Sequence, residues 1–175
     1  GEMIMGLADF FTLEHFSIHS ILYFIIMINL FMNYFGQFDH AIDEEGENKG
    51  IFLIYSHYPI FIGLIMVTVS MSFLVNPEAH HLFATSFFYA GIGLFQATVL
   101  SNGRFNKSYL KYDKIYYGLQ ATFFLIGLLL SFLFSDNPTI VIAIATLMTL
   151  AMEIHFTYFY MTQTKKFSTP NWELF

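Results

Sequence analysis

Glu153 and His155 stand near the end of the run "TIVIAIATLMTLAMEIHFTYFYM" (139–161), which otherwise holds aliphatic, aromatic and hydroxyl side chains. A carboxyl group in such a setting can hold a proton or a cation, and an imidazole titrates near neutrality. A helix rises 1.5 Å per residue, so Glu153 is expected about 12 Å from the inner end of this run, with His155 half a turn nearer the end. An ionisable residue at that depth in a bilayer costs roughly 2.5–3.5 kcal/mol on insertion scales, which makes it a candidate site. The two residues are two apart and point about 160° away from each other, so they cannot both serve one small site.

Other runs carry polar residues at a similar depth. His57 is expected about 9 Å from the inner end of its run, and Asn33 and Gln37 lie comparably deep on the first. Thr146, Thr149, Glu153, Thr157, Tyr160 and Thr164 form a stripe at helical spacing. A second stripe runs through His15, His19, Asn29, Asn33, Gln37 and His40. Thr85, Tyr89, Gly93 and Gln96 mark a third face, and Tyr116, Gln120, Gly127 and Ser131 a fourth. Such stripes face a bundle interior or a water-filled path rather than lipid. Two readings fit them: a hydrated conduit for protons or ions, and a packed interior whose polar groups bond one another. Gly91, Gly93, Gly118 and Gly127 are candidates for close helix contacts.

A separate group lies at the opposite end. His15 and His19 are four apart on one helical face, and Glu78, His80 and His81 follow in a connection on the same side. Imidazole and carboxylate together suit a divalent first-row metal. They also suit ordinary interfacial histidines or a sensor of external pH. No Ser/His/Asp arrangement, phosphate loop or dinucleotide fingerprint is visible, so no enzyme class is indicated.

These residues must be positioned by apolar helices. The 175 residues are 56% hydrophobic and 11% charged, with 23 Phe and no Cys. Soluble domains carry about 25% charged residues, so hydrocarbon is the expected solvent. Disulfides and thiolate metal sites are excluded. The net charge of −6, with seven basic residues, leaves no surface for tracking nucleic acid. A bilayer core needs roughly 20 apolar residues per helix. Five spans are predicted near 15–35, 51–75, 82–100, 115–134 and 139–161, in an all-α transmembrane bundle. Residues 1–13 are too short to cross and are expected to be the outer half of a preceding helix or an interfacial segment. Residues 162–175 are expected to form a tail. With five spans, Lys49, Arg104, Lys107, Lys111, Lys114, Lys165 and Lys166 all fall on one side. The positive-inside rule makes that side cytoplasmic, with the N-terminal end outside. The acidic loop "DHAIDEEGENKG" (39–50) lies on the same side. It is a solvated loop or a cation site, without the ligand spacing of a Ca²⁺ loop.

Three elements, "GEMIMG" (1–6), "NYFGQFD" (33–39) and "YSHYPIFIGLIMVTVS" (55–70), resemble those of the bacterial low temperature requirement A membrane family. That family carries a Gly-Glu within a helix, a "WWxYFD"-like element, and Y-x-H-x-P followed by Gly. The matching residues are Gly1 and Glu2, Phe35 with Phe38 and Asp39, and Tyr55, His57, Pro59 and Gly63; Tyr34 and Phe35 stand where the family has tryptophans. The resemblance implies a bacterial inner-membrane protein and matches the C-terminal half of members about twice this length. A missing N-terminal half or a second copy of the chain is then an expected partner. The resemblance singles out Glu2, Asp39 and His57, with Glu2 near mid-bilayer. Together with Asn33, Gln96, Gln120, Glu153 and His155 they form the expected ion or proton path. The rival expectations are a non-transporting subunit that docks a partner, and a metalloprotein using the outer histidines.

Overall fold

The computed structural model describes residues 2–13, 16–43 and 50–168, with the side chains of residues 2–4 and 9 outside that description. The described residues fold into helices and short helical turns, without strands. A short helix α1 (Glu2–Ala8) ends in a 3₁₀ turn. Five longer helices follow: α2 (Ile18–Phe35), α3 (Gly50–Val75), α4 (His81–Ser101), α5 (Lys114–Leu133) and α6 (Pro138–Ser168). All five are long and apolar enough to cross a membrane. In hydrocarbon a backbone must satisfy its own hydrogen bonds, and helices do so within one segment. The chain is a multi-pass helical membrane protein.

Local chemistry sets the helix ends. At the start of α2, the Ser17 N–H donates to Ser20 Oγ at 3.1 Å. Asp113 caps α5 by accepting the Tyr116 N–H at 2.7 Å. Pro138 occupies the first position of α6, where a missing N–H costs nothing. Asn137 Oδ1 accepts the Ile140 N–H there at 3.3 Å. No Gly or Pro interrupts residues 161–168, so α6 runs on to Ser168 rather than ending near Met161. Lys165 and Lys166 lie in its last turn, where they complement the helix dipole. α2 likewise continues through a π-helical turn, Gly36–Ala41. Pro59 stands inside α3 and leaves the Tyr55 carbonyl without its helical donor.

The most extensive contacts are between α3 and α4, followed by α2 with α6 and α5 with α6; α1 rests on α3 and α2. The core is built from fully buried Tyr23, Ile26, Ile60, Met71, Phe88, Ile92, Phe95 and Ile142. Large aliphatic side chains such as Ile62, Leu129, Leu133 and Leu147 face outward, as lipid-facing positions do. α3 and α4 cross at two glycines. A Cβ on Gly63 would lie 2.8 Å from the Gly91 carbonyl oxygen, and one on Gly91 would lie 2.9 Å from that of Gly63. Membrane helices associate through close van der Waals contact, and small residues allow it. Gly93 and Gly127 also meet neighbours, the Phe124 ring and the Met148 side chain, whereas Gly118 faces open space.

The two ends of the bundle differ. At one end Lys107 Nζ donates to the His40 carbonyl at 3.0 Å, and Tyr109 stacks on Phe167 with centroids 4.2 Å apart. The ends of α2 and α6 and the α4–α5 connection therefore meet. Arg104, Lys107, Lys111, Lys114, Lys165 and Lys166 belong to this end, while Lys49 and the acidic stretch 44–48 of the expected loop lie outside the described residues. At the other end His19 Nε2 and Thr139 Oγ1 are 2.8 Å apart and join the starts of α2 and α6.

Candidate functional site

α2, α4 and α6 each turn a polar face inward, and these faces enclose a small cavity. Asn29 and Asn33 come from α2, Gln96 from α4, and Thr149 and Glu153 from α6; Leu30, Ile92 and Met152 complete the wall. The cavity measures about 10 Å³. Two of its polar groups are paired, Asn29 Nδ2 donating to Thr149 Oγ1 at 3.1 Å. One Glu153 oxygen, Oε1, accepts from Thr157 Oγ1 at 3.1 Å. Three others are buried without a protein partner: Asn33 Oδ1, Gln96 Nε2 and Glu153 Oε2. Asn33 and Gln96 are each only 5% exposed. A buried polar atom without a partner costs about 1–3 kcal/mol, and three around one cavity are a costly arrangement for packing alone.

His155 points the other way, as its two-residue offset from Glu153 requires. It stacks on Tyr116 with centroids 4.7 Å apart. Its Nδ1 lies 3.2 Å from Gln120 Nε2, which also donates to the Met152 carbonyl at 3.1 Å. Nδ1 thus accepts and the ring proton sits on Nε2 in this arrangement. Gln120 and His155 form a separate α5–α6 contact and do not line the cavity.

Towards the basic end lies a second polar group. Gln37 Nε2 donates to Asn106 Oδ1 at 2.7 Å, and Asn106 Nδ2 donates to the Leu110 carbonyl at 2.9 Å. The Tyr112 hydroxyl donates to Gln37 Oε1. Burial raises the Tyr112 hydroxyl above the ordinary phenol range, so it remains a donor. This group ties the α4–α5 connection to the end of α2. Asn102 Nδ2 adds a bond to Ser56 Oγ on α3 at 3.1 Å.

A family model for the bacterial low temperature requirement A proteins (LtrA) matches residues 1–152. The chain belongs to the LtrA family. No curated protein and no solved structure matches it. The LtrA elements recognised in the sequence sit at definite places. In the Y-x-H-x-P element, His57 Nδ1 lies 2.6 Å from the Leu53 carbonyl, which can only accept, so Nδ1 carries the proton. His57 Nε2 then accepts from the Tyr34 hydroxyl at 3.0 Å. The His57 ring also packs against Phe38, centroids 4.7 Å apart. His57 thus joins α3 to the end of α2 through the second LtrA element and is not among the residues around the Glu153 cavity. Asp39 is exposed and pairs with His40 at 2.9 Å. Glu2 opens α1, and its side chain lies outside the described residues. Gly6, one turn further on, sits against the Thr68 methyl of α3.

At the opposite end His15 lies outside the described residues. His19 bonds Thr139, Glu78 and His80 belong to the α3–α4 connection, and His81 opens α4. Among the described residues no three His, Asp or Glu side chains converge as metal ligands do. Asn102, Asn106 and Tyr112 did not stand out in the sequence, because the basic stretch "NGRFNKSYLKYDK" reads as a solvated loop. The four-residue spacing of its two asparagines was the available signal. Gln96 was legible as polar, but nothing local named Glu153 as its neighbour.

Proposed function

We propose that this LtrA protein moves a small ion or proton across the bacterial inner membrane and that Glu153 is the group through which it passes. The observation that carries this reading is the Glu153 carboxyl inside the helix bundle, sharing a cavity with the unpaired polar atoms of Asn33 and Gln96. A carboxyl used only to hold helices together would be expected to have its acceptors filled. Six basic residues gathered at one end support a topology in which that end is cytoplasmic and α2 starts outside. His57 and His155 would then lie towards the cytoplasmic end of the bundle, with Asp39 at its surface.

Reconstitution of the purified chain in liposomes tests the reading. Under an imposed ion gradient, ion flux is expected in wild type and should fall about 10²-fold in Glu153→Gln, as when a proton- or ion-handling group is removed. Monodisperse elution in detergent and an unchanged helical spectrum confirm that the variant folds. Equal flux in the two proteins would refute the role of the carboxyl.

A second reading, a non-transporting subunit, is favoured by the closed pairs Asn29–Thr149, Gln37–Asn106 and Tyr89–Ser131. Such bonds hold membrane helices together at about 0.6 kcal/mol each. On this reading no flux exceeds that of empty vesicles.

A further inference from the structure

Between the Glu153 cavity and the basic end stands a second polar layer, and an ion using Glu153 has to cross it. Resting on the reading of Glu153 as the group of passage, we infer that Gln37, Asn106 and Tyr112 form the gate between the cavity and the basic end, and that it opens when the α4–α5 connection parts from the end of α2. Such a gate serves a proton and a metal cation alike.

Asn29 and Asn33 line the cavity from α2, and Gln37 stands one turn beyond Asn33 on the same face. On α6, Phe156 follows Glu153 by three residues, and its ring lies against Gly36, which has no side chain to hold it off. Gln37 and Phe156 are 0% and 5% exposed, so this layer is closed. Its pairing is the reverse of that in the cavity. Around Glu153 three polar atoms lack partners. In the next layer the Gln37 amide is engaged at both ends, donating to Asn106 Oδ1 at 2.7 Å and accepting from the Tyr112 hydroxyl. An ion leaving the cavity on this side meets an amide whose oxygen and nitrogen are both taken.

The bonds that hold the layer shut are few and local. The Asp43 N–H donates to the Phe105 carbonyl at 3.0 Å and the Lys107 N–H to the Ala41 carbonyl at 2.9 Å, which makes Ile42 and Asn106 an antiparallel pair. Lys107 Nζ adds its bond to the His40 carbonyl. The Asn106 bond to the Leu110 carbonyl lies within the connection and travels with it. On the other side of these bonds is the π-helical turn Gly36–Ala41, closed by the Ile42 N–H on the Gln37 carbonyl at 3.1 Å. Single π turns recur at functional sites. Rewinding this one to α-helical bonds advances the residues after it by one position, about 100° of rotation. That movement carries Ala41 and Ile42 away from Asn106 and Lys107 and frees the connection.

The chain has no cysteine, so two can be placed at the pair without competitors. An antiparallel pair flanked by the bonds, as Ile42 and Asn106 are, brings Cα atoms to about 4.5 Å, within disulfide range. The test is ion flux through the Ile42→Cys/Asn106→Cys chain in liposomes, read by entrapped pH dye and Na⁺ and K⁺ indicators in whichever ion depends on Glu153. Flux should fall by about 10-fold or more on oxidation, as the free thiols disappear, and return on reduction. Glu153-dependent flux that the disulfide leaves unchanged would overturn the gate while leaving the role of Glu153 intact. Thiols that do not pair would overturn the closed contact itself. An absence of Glu153-dependent flux for every ion would overturn both readings. Should the double variant fail to fold, Tyr112→Phe carries the test. It removes one bond from Gln37 and keeps the ring, so Glu153-dependent flux should rise about 5-fold, the population shift that one lost hydrogen bond gives. A bond that only braces the helices leaves flux at or below wild type in this variant, and that result would overturn the gate.

Discussion

Replacing Gly91 by alanine adds one methyl group at the α3–α4 crossing. In the structure that methyl carbon would stand 2.9 Å from the Gly63 carbonyl oxygen, the Val67 backbone nitrogen and the Met66 Cβ. Ordinary contact begins near 3.4 Å. The helices must therefore part by about half an ångström, and backbone on both sides leaves no flexible side chain to yield. A gap of this size forfeits about a quarter of the dispersion energy along the seam. Overpacking of a tight core costs about 1–3 kcal/mol. Against this, alanine favours a helix over glycine by about 1 kcal/mol. Gly118→Ala provides the correction, since Gly118 is helical, exposed and has nothing within 4 Å of its added Cβ. The difference between the two variants isolates the steric cost at about 2 kcal/mol, a gap of roughly 4–8 °C in Tm for a chain of this size. Thermal unfolding of both proteins in the same detergent, followed by circular dichroism, measures it. Gly118→Ala should melt at or slightly above wild type and Gly91→Ala below it. Equal melting temperatures would refute the close backbone approach of α3 and α4.

Gln37→Leu should cost about 2–3 kcal/mol, because it leaves Asn106 Oδ1 and the Tyr112 hydroxyl without their Gln37 partner, and a melting temperature matching wild type would remove Gln37 from that role. A double-mutant cycle on Asn29→Ala and Thr149→Val should return a coupling near ~0.6 kcal/mol by unfolding in mixed micelles; zero coupling would mean the two side chains do not bond. Alkaline titration should expose Tyr112. Its hydroxyl is raised by burial in the folded chain, while an unfolded phenol ionises near about 10. The stabilisation is therefore full below that pH and is lost as pH rises past it, since only the unfolded chain then releases the proton. Tyr112→Phe should flatten this alkaline slope, and an unchanged slope would count against the burial of the hydroxyl.

The solvent, the five spans and the grouping of basic residues at one end were legible in the sequence, because each depends on local composition. A run of twenty apolar residues declares its solvent whatever its neighbours are. The opposed directions of Glu153 and His155 also followed from helix geometry alone. Depth along a helix, however, says nothing about rotation around it or about which helix stands alongside. Asn33 and His57 share a depth, yet His57 faces Tyr34 and the Leu53 carbonyl, while Asn33 shares a cavity with Gln96 and Glu153. Gly91 and Gly118 look alike as letters, but one touches backbone and the other open space. Only the packing of α2, α4 and α6 against one another decides these partners, because it is set by the fit of whole helix surfaces and not by any one segment.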